Sequence, residues 1–325
     1  MPTVAPVNVD GFVVRAGFLN DHAFFASGEG DVVIAGQGET TLRPHKSGLL
    51  AAEVAADGVG LITSGDDGCI YRCSPDGSFE LVAERPRKWI DLIAAGPSGA
   101  VAFASGRVAW VRLADGQEKE FQHERAVGGL AFAPKGLRLA VSRYDGATLW
   151  WAGTDSAPAE LTWKGAHLGI SFSPDSKFLV TAMQENALHG WRLSDSKDMR
   201  MSGYPAKVKS FSWSAKGRYL ATSGANAAIL WPYFGKNGPM GQSPLQLGSR
   251  QGLLVTAVSC HPVEDVTAVG YQDGSIAMCR IEDKAEVPLR GPGEGPVSSI
   301  GWDRDGFRLA FGTEAGEAGV ISLKD

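Results

Sequence analysis

The sequence lacks long apolar runs, has few cysteines and carries no excess of basic charge. Nowhere in its 325 residues is there a run near the roughly 20 apolar residues that a membrane-spanning helix requires. Four cysteines fit a reducing compartment, and their placement argues against disulfides. The N-terminal residues show no basic segment followed by an apolar run. A formal net charge of -5 makes nucleic acid a poor partner. We therefore expect a cytoplasmic protein with no membrane anchor.

What the sequence does contain is a short motif that recurs about every forty residues. Each copy opens with a turn residue, most often Gly or Asn, and continues as an apolar strand, as in residues 68–71 and 146–150. The eight copies open at residues 30, 68, 106, 146, 186, 226, 274 and 317, so successive copies lie 38 to 48 residues apart. A period near forty built from short strands is typical of β-propeller blades.

One repeat shows the expected order of strands most clearly. Residues 127–132 predict an innermost strand, residues 137–142 a second strand, and residues 147–151 a third. Turns with Pro134 and Gly136, and then with Asp145 and Gly146, separate them, because Pro fixes φ and Gly tolerates a positive φ. A more variable fourth strand is expected near residues 160–163.

This pattern resembles the WD-repeat family. Residues 170–175, Ile-Ser-Phe-Ser-Pro-Asp, match its strand-and-turn element, and Trp151, Trp191 and Trp231 fall at the same offset in three successive repeats. The resemblance is strong over about residues 120–282 and weaker outside, where for example Cys73 replaces the Trp. It implies a single domain over residues 1–325, in which some blades contain a buried His-Ser-Asp-Trp hydrogen-bond network.

The repeat count predicts eight four-stranded antiparallel blades in one monomeric ring. Residues 3–9 have alternating valines and no other role, so we expect them to close the last blade as its outer strand. Seven blades are the alternative, if the first repeat, which lacks Phe-Ser-Pro and Trp, is not a blade.

No pattern of residues predicts catalysis, a cofactor or a metal. Cys69 and Cys73 are four residues apart on a strand, which separates them by about 13 Å, too far to hold one ion together. His45 and His123 precede innermost strands, where the resemblance implies hydrogen bonds within the blade. Asp66, Asp145 and Asp273 stand at or next to tight turns, where carboxylates accept backbone N–H groups. We therefore expect a protein without enzymatic activity.

Basic side chains concentrate in the loops that lead into the innermost strands. The plainer interpretation is solvated charge on a polar rim; the sharper one is a face that binds an acidic segment of a partner protein. Aromatic residues beside these loops favour the second, since Trp, Tyr and Arg carry much of the energy of interfaces. The predicted contact residues are Lys46, Arg87, Lys88, Trp89, Arg125, Tyr144, Lys164, His167, Tyr204, Lys207 and Tyr271.

Several alternatives stay open at this point. Trp89 is equally consistent with a core position at the start of an innermost strand. A basic face with aromatic residues can also bind RNA, and a hydrolase or lactonase with a metal in the central channel would use the same fold. Some single-propeller bacterial proteins of this kind resemble those encoded beside metal-chaperone GTPases, which suggests such an enzyme as a partner.

Overall fold

The computed structural model describes residues 2–36 and 38–324, which are almost entirely β-strands and turns. One short 3-10 helix, Pro97–Gly99, interrupts the described strands. The strands hydrogen-bond to one another in antiparallel fashion and form seven sheets. The chain divides into two compact units: the first unit is Met1–Pro44, Pro75–Gly77 and Tyr204–Asp325, and the second unit is His45–Ser74 and Ser78–Gly203.

The first repeat forms a sheet of its own, although it lacks the Phe-Ser-Pro and Trp elements. Strands β2 to β5 pair in chain order as sheet 1. Phe24 and Phe25 of its second strand are fully buried. The first five strands are β1 Thr3–Val7, β2 Val13–Leu19, β3 His22–Ser27, β4 Val32–Ala35 and β5 Glu39–Leu42.

Sheets 2 and 3 follow in the second unit, each with four strands in chain order. Gly68, at a φ of 81°, supplies the left-handed turn between the second and third strands of sheet 2. The strands of sheet 2 are β6 Leu49–Val54, β7 Leu61–Gly65, β8 Cys69–Cys73 and β9 Phe79–Glu84, and those of sheet 3 are β10 Leu92–Ala95, β11 Val101–Ser105, β12 Val108–Arg112 and β13 Glu118–Gln122.

Sheet 4 has six strands, and it overturns the prediction of eight separate four-stranded blades. Two predicted blades are one continuous sheet here, because the predicted turn at residues 143–146 is part of a 14-residue strand that pairs with a second strand of the same length. Within this pairing Tyr144 lies opposite Ala166, which comes after the expected fourth strand near residues 160–163. The strands are β14 Val127–Phe132, β15 Arg138–Trp151, β16 Ala159–Phe172, β17 Phe178–Met183, β18 Ala187–Arg192 and β19 Lys197–Met201.

The long strand β15 still bends back on itself within this sheet. The Ala152 N–H donates to the Leu137 carbonyl at 2.8 Å, so the two ends of β15 meet. Asp145 and Gly146, with φ of 68° and 134°, form the bend. Counting each continuous sheet as one blade, the protein is an all-β propeller of seven blades. The alternative count of seven is therefore correct, but the reason is the fusion of two repeats and not the loss of the first.

The remaining sheets belong to the first unit, and the N-terminal strand completes the last of them. Sheets 5 and 6 pair in chain order, and sheet 7 has the order β1-β30-β29-β28. The pairing of β1 with β30 runs from Thr3 opposite Ser322 to Val7 opposite Ala318, which confirms the predicted outer strand. The strands are β20 Phe211–Trp213, β21 Tyr219–Thr222, β22 Ala228–Pro232, β23 Leu245–Leu247, β24 Val255–Cys260, β25 Val266–Tyr271, β26 Ile276–Arg280, β27 Glu286–Arg290, β28 Val297–Trp302, β29 Arg308–Thr313 and β30 Ala318–Ser322.

Deleting residues 3–7 should destabilise sheet 7. The deletion exposes the hydrogen-bonding edge of β30 and removes Val7 from a buried cluster, so we expect a lower Tm and self-association through the free edge. Thermal unfolding and size-exclusion chromatography measure the two effects. Val4→Thr, which changes an exposed position of the same strand and keeps the pairing, is the control. A deletion variant that stays monomeric with the wild-type Tm would contradict the role of this strand.

Candidate functional site

Trp89 projects from a tight turn before β10. Arg87 has a positive φ of 63°, and the Lys88 N–H donates to the Arg85 carbonyl at 3.1 Å. Ile90, the next residue, is fully buried, whereas Trp89 is 69% exposed. The core interpretation of Trp89 is therefore wrong, because Ile90 takes the core position.

A chain of contacts links this turn to strand β13. The Lys88 ammonium lies 6.0 Å from the centroid of the Trp110 ring, within the range of a cation–π contact. Trp110 Nε1 donates to Glu120 Oε2 at 2.9 Å, and Gln122 Nε2 donates to Glu120 Oε1 at 2.5 Å. Gln122 in turn lines a cavity in the same unit.

This cavity, of about 850 Å³, lies beside β13, β15 and β16, and we call it the β15–β16 cavity. Three predicted contact residues, Arg125, Tyr144 and Lys164, line it. Tyr144 belongs to the pairing with Ala166 that makes sheet 4 continuous. The cavity therefore lies where the chain departs from the regular repeat. Its other chemically distinctive lining residues are His123, Glu124, Arg143, Asp145, Trp150, Glu160 and Trp163.

Positive and negative side chains balance in the lining of the β15–β16 cavity. Arg143 forms an ion pair with Glu160, and Thr148 Oγ1 donates to Glu160 Oε1 at 3.0 Å. Arg125 and Lys164 have no ion-pair partner among the residues that the structure describes. The lining is therefore not purely basic. Its cations are Arg125, Arg143 and Lys164, and its carboxylates are Glu124, Asp145 and Glu160.

Two residues that line this cavity each have a ring nitrogen that is buried without a hydrogen-bond partner among the described residues, namely His123 Nε2 and Trp150 Nε1. Burial, with a smaller effect of the Arg143 charge, lowers the pKa of His123 to about 4, so its ring is neutral near pH 7. The Trp150 ring packs 4.6 Å from Phe121, centroid to centroid. A buried polar atom without a partner costs roughly 1–3 kcal/mol.

His45, in the same unit, has the hydrogen bonds that His123 Nε2 lacks. His45 Nε2 lies 3.0 Å from Thr63 Oγ1 and its Nδ1 lies 3.1 Å from Asp67 Oδ1, which confirms the structural role predicted for His45. Burial lowers the pKa of this ring. His123 was expected to bond in the same way, and for its Nε2 that expectation is wrong.

Three predicted contact residues are buried and cannot form the exposed surface that we expected. Tyr204 is hydrogen-bonded to Thr222 Oγ1 at 2.7 Å, and the Tyr271 hydroxyl donates to the Gly248 carbonyl at 2.6 Å. His167 is also buried, with its Nδ1 2.7 Å from a threonine hydroxyl. These three residues are not part of an exposed contact surface, because their polar atoms already have partners inside the protein.

The two remaining predicted lysines are exposed. Lys46 begins the approach to β6, where its backbone N–H lies 3.4 Å from an oxygen of Asp67. Lys207, in the first unit, lines a smaller cavity of about 460 Å³ together with Lys209 and Phe12.

The residues in 2–36 and 38–324 include no group of three or more His, Cys, Asp and Glu side chains placed to hold a metal ion. No helix in the described part of the chain is long and apolar enough to span a membrane.

Trp150 was missed because the tryptophan offset of the repeats selected its neighbour Trp151, and Trp163 was missed because it lies outside that offset. Trp191 is 1% exposed, as the offset predicts, but Trp151 is 45% exposed and lies beneath the Arg138 guanidinium at 5.2 Å. Trp150 packs against the core instead. A shift of one residue moves a strand side chain to the opposite face, and the doublet at residues 150–151 was the available signal.

Neither a protein-family model nor a curated protein matches this sequence. Among solved structures, the chain is similar to the crystal structure of the computationally designed Ika8 protein, with a TM-score of 0.73 over 97% of this chain and 98% of that chain. The two sequences are 15% identical, so the similarity shows the β-propeller fold alone. Membership of the WD-repeat family stays a resemblance.

Three of the four thiols should react slowly in the native protein. Burial raises the pKa of Cys73 and Cys279 to about 12 and that of Cys260 to about 11, which suppresses the reactive thiolate. Cys69 is only partly buried, so we expect it to be labelled first. Labelling with a thiol reagent, followed by peptide mass spectrometry before and after denaturation, tests this order. Fast native labelling of Cys73 or Cys279 would contradict their core placement.

Acidification from about pH 7.5 to about pH 5.5 should destabilise the protein. Burial is the main cause that lowers the pKa of His189 to about 3 and that of His123 to about 4, whereas an unfolded histidine titrates near 6.5. In this window the unfolded chain binds protons that the folded chain does not, so unfolding is favoured as the pH falls. Thermal unfolding at several pH values measures the effect.

His189→Phe is the variant that assigns this effect. His189 stacks on Trp163 at 4.2 Å, and phenylalanine retains a ring there without a titratable group. The variant should show a weaker dependence of Tm on pH. An undiminished dependence would mean that other groups cause it.

Proposed function

We propose that this protein is a noncatalytic binding protein that holds an acidic segment of a partner protein at the turn containing Arg87, Lys88 and Trp89. We call these three residues the Trp89 turn. The observation that carries the proposal is the 69% exposure of Trp89 directly before the fully buried Ile90. An exposed indole held by a fixed turn offers a large contact area at little cost in conformational entropy.

The charges of the Trp89 turn favour an acidic partner. Neither Arg87 nor Lys88 forms an ion pair with a carboxylate of the described residues, and Lys88 rests on the Trp110 ring. Arg85, at the base of the turn, is by contrast paired with Glu118 at 2.5 Å and is part of the scaffold. Unpaired exposed cations beside an aromatic anchor accelerate association with a segment of opposite charge.

The partner is defined here by its chemistry and not by its name. A segment rich in Asp and Glu, with one apolar residue to cover Trp89, satisfies both features of the turn. A metal-chaperone GTPase is one candidate source of such a segment, on the resemblance given above alone. The β-propeller fold is compatible with this scaffold role, since propellers commonly present turns and loops of successive blades as binding surfaces.

Trp89→Ala should weaken the binding of acidic peptides with little change in Tm. The probe is an array of short synthetic peptides in which each sequence exists in an acidic, a neutral and a basic version. We expect the tightest acidic peptide to bind about thirtyfold more weakly to the variant, the equivalent of about 2 kcal/mol. Fluorescence polarisation measures the affinity. Trp151→Ala is the matched control, because it also removes an exposed indole of the second unit.

Reversing both charges with Arg87→Glu and Lys88→Glu should slow association, and the effect should shrink between about 0.1 M and about 1 M salt as the Debye length falls from about 10 Å to about 3 Å. Stopped-flow measurement with the same acidic peptide gives the rate. Binding of neutral and basic versions as tightly as acidic ones would overturn the proposal. Saturable binding of a single-stranded RNA oligonucleotide in place of any peptide would favour the RNA-binding alternative.

A further inference from the structure

We infer that the β15–β16 cavity is a binding site for an uncharged, polyhydroxylated ligand, that is, for a sugar. The inference does not depend on the Trp89 turn or on the partner segment proposed above. Four observations support it: the balance of charge in the cavity, the polar atoms left without partners, the aromatic walls, and the size of the cavity.

The charge balance argues against an ionic ligand. Three cationic and three carboxylate side chains line the cavity, and the Arg143–Glu160 pair is internally neutralised. What remains is Arg125 and Lys164 against Glu124 and Asp145. A site selective for an anion or a cation would carry an excess of the opposite charge, whereas this one has none.

The unpartnered polar atoms match the hydrogen-bonding capacity of hydroxyl groups. Trp150 Nε1 can only donate, and neutral His123 Nε2 donates or accepts according to its tautomer. The carboxylate of Glu124 can only accept and the ammonium of Lys164 can only donate. A hydroxyl group does both, so a ligand with several hydroxyls can satisfy donors and acceptors of one wall at the same time.

Three aromatic side chains give the cavity apolar walls of fixed position. Tyr144 is an exposed large hydrophobic residue, Trp150 is supported by Phe121, and Trp163 is stacked on His189 at an interplanar angle of 18°. A sugar ring has apolar C–H faces between its polar edges, and flat aromatic rings cover such faces. The same rings would add little for a compact, fully charged ion.

The cavity also has the volume of a small-molecule site. Its roughly 850 Å³ lies within the range of about 300–1,000 Å³ that ligand pockets occupy. It lies where β15 and β16 pair with each other beyond the predicted turn, and this is one of the places where the sequence-based prediction and the structure disagree. Such disagreements are concentrated at functional sites.

The test is binding of free neutral sugars to the full chain. The probes are glucose, galactose, mannose and N-acetylglucosamine with their β-linked disaccharides, detected by saturation-transfer difference NMR and by tryptophan fluorescence. We expect at least one sugar to bind saturably with a Kd of about 1 mM or below. Trp150→Phe, which removes the indole N–H and keeps an aromatic ring against Phe121, should bind that sugar at least about tenfold more weakly.

Matched variants separate this proposal from a folding defect and from the proposed function. Trp151→Phe should bind the sugar like the wild type, and so should Trp89→Ala. Tyr144→Ala, at an exposed position, should lose affinity even if Trp150→Phe fails to fold. The proposal is overturned if no neutral sugar binds saturably, or if both cavity variants bind it as the wild type does.

Discussion

The structure depends on the apolar contact between neighbouring sheets within each unit. In the second unit, Ile62 and Ile70 of sheet 2 share one buried cluster with Phe103 of sheet 3. In the first unit, Ile276 of sheet 6 shares a buried cluster with Leu309 of sheet 7. A repeat of about forty residues encloses no such cluster alone, so each sheet is stable only beside a neighbour. This constraint explains why apolar strands recur at nearly constant spacing in a chain that is otherwise polar.

The apolar contact between neighbouring sheets also brings their innermost strands close enough for side-chain hydroxyl groups of one strand to hydrogen-bond to the backbone of the next. A β-bulge follows the first residue of β2, β24 and β28, and a bulge leaves backbone groups without partners in the sheet. The Ser298 hydroxyl donates to the Val13 carbonyl at 2.6 Å, and the Thr256 hydroxyl donates to the Val297 carbonyl at 2.7 Å. Each acceptor is the residue at which a bulge begins. Small polar residues on innermost strands therefore bond neighbouring sheets while the larger apolar residues fill the core.

The sequence predicted the features that the repeats share, and the prediction failed where one repeat departs from the others. The period of the repeats, the alternation within their strands and the alternating valines of residues 3–9 were enough to predict propeller sheets and the outer strand of sheet 7. The fusion at Tyr144 and Ala166 was not predictable, since Asp145 and Gly146 have the composition of an ordinary hairpin turn. The burial of Tyr271 was not predictable either, because the carbonyl that accepts its hydroxyl is at Gly248, which is distant along the chain.

A comparison of His45 with His123 shows how the departure of sheet 4 from the regular repeat leaves a buried polar atom without a partner among the described residues. In sheet 2 the regular turn brings Thr63 and Asp67 to His45, so both ring nitrogens are satisfied inside the protein. In sheet 4 the corresponding bend, at Asp145 and Gly146, lies within the long strand β15. The side chain of Asp145 accepts a hydrogen bond from the Gly165 N–H instead. His123 keeps a buried ring nitrogen without a partner among the described residues. The bond that stabilises the regular repeat is absent here. A polar group that a regular repeat satisfies internally is thereby left without a partner among the described residues.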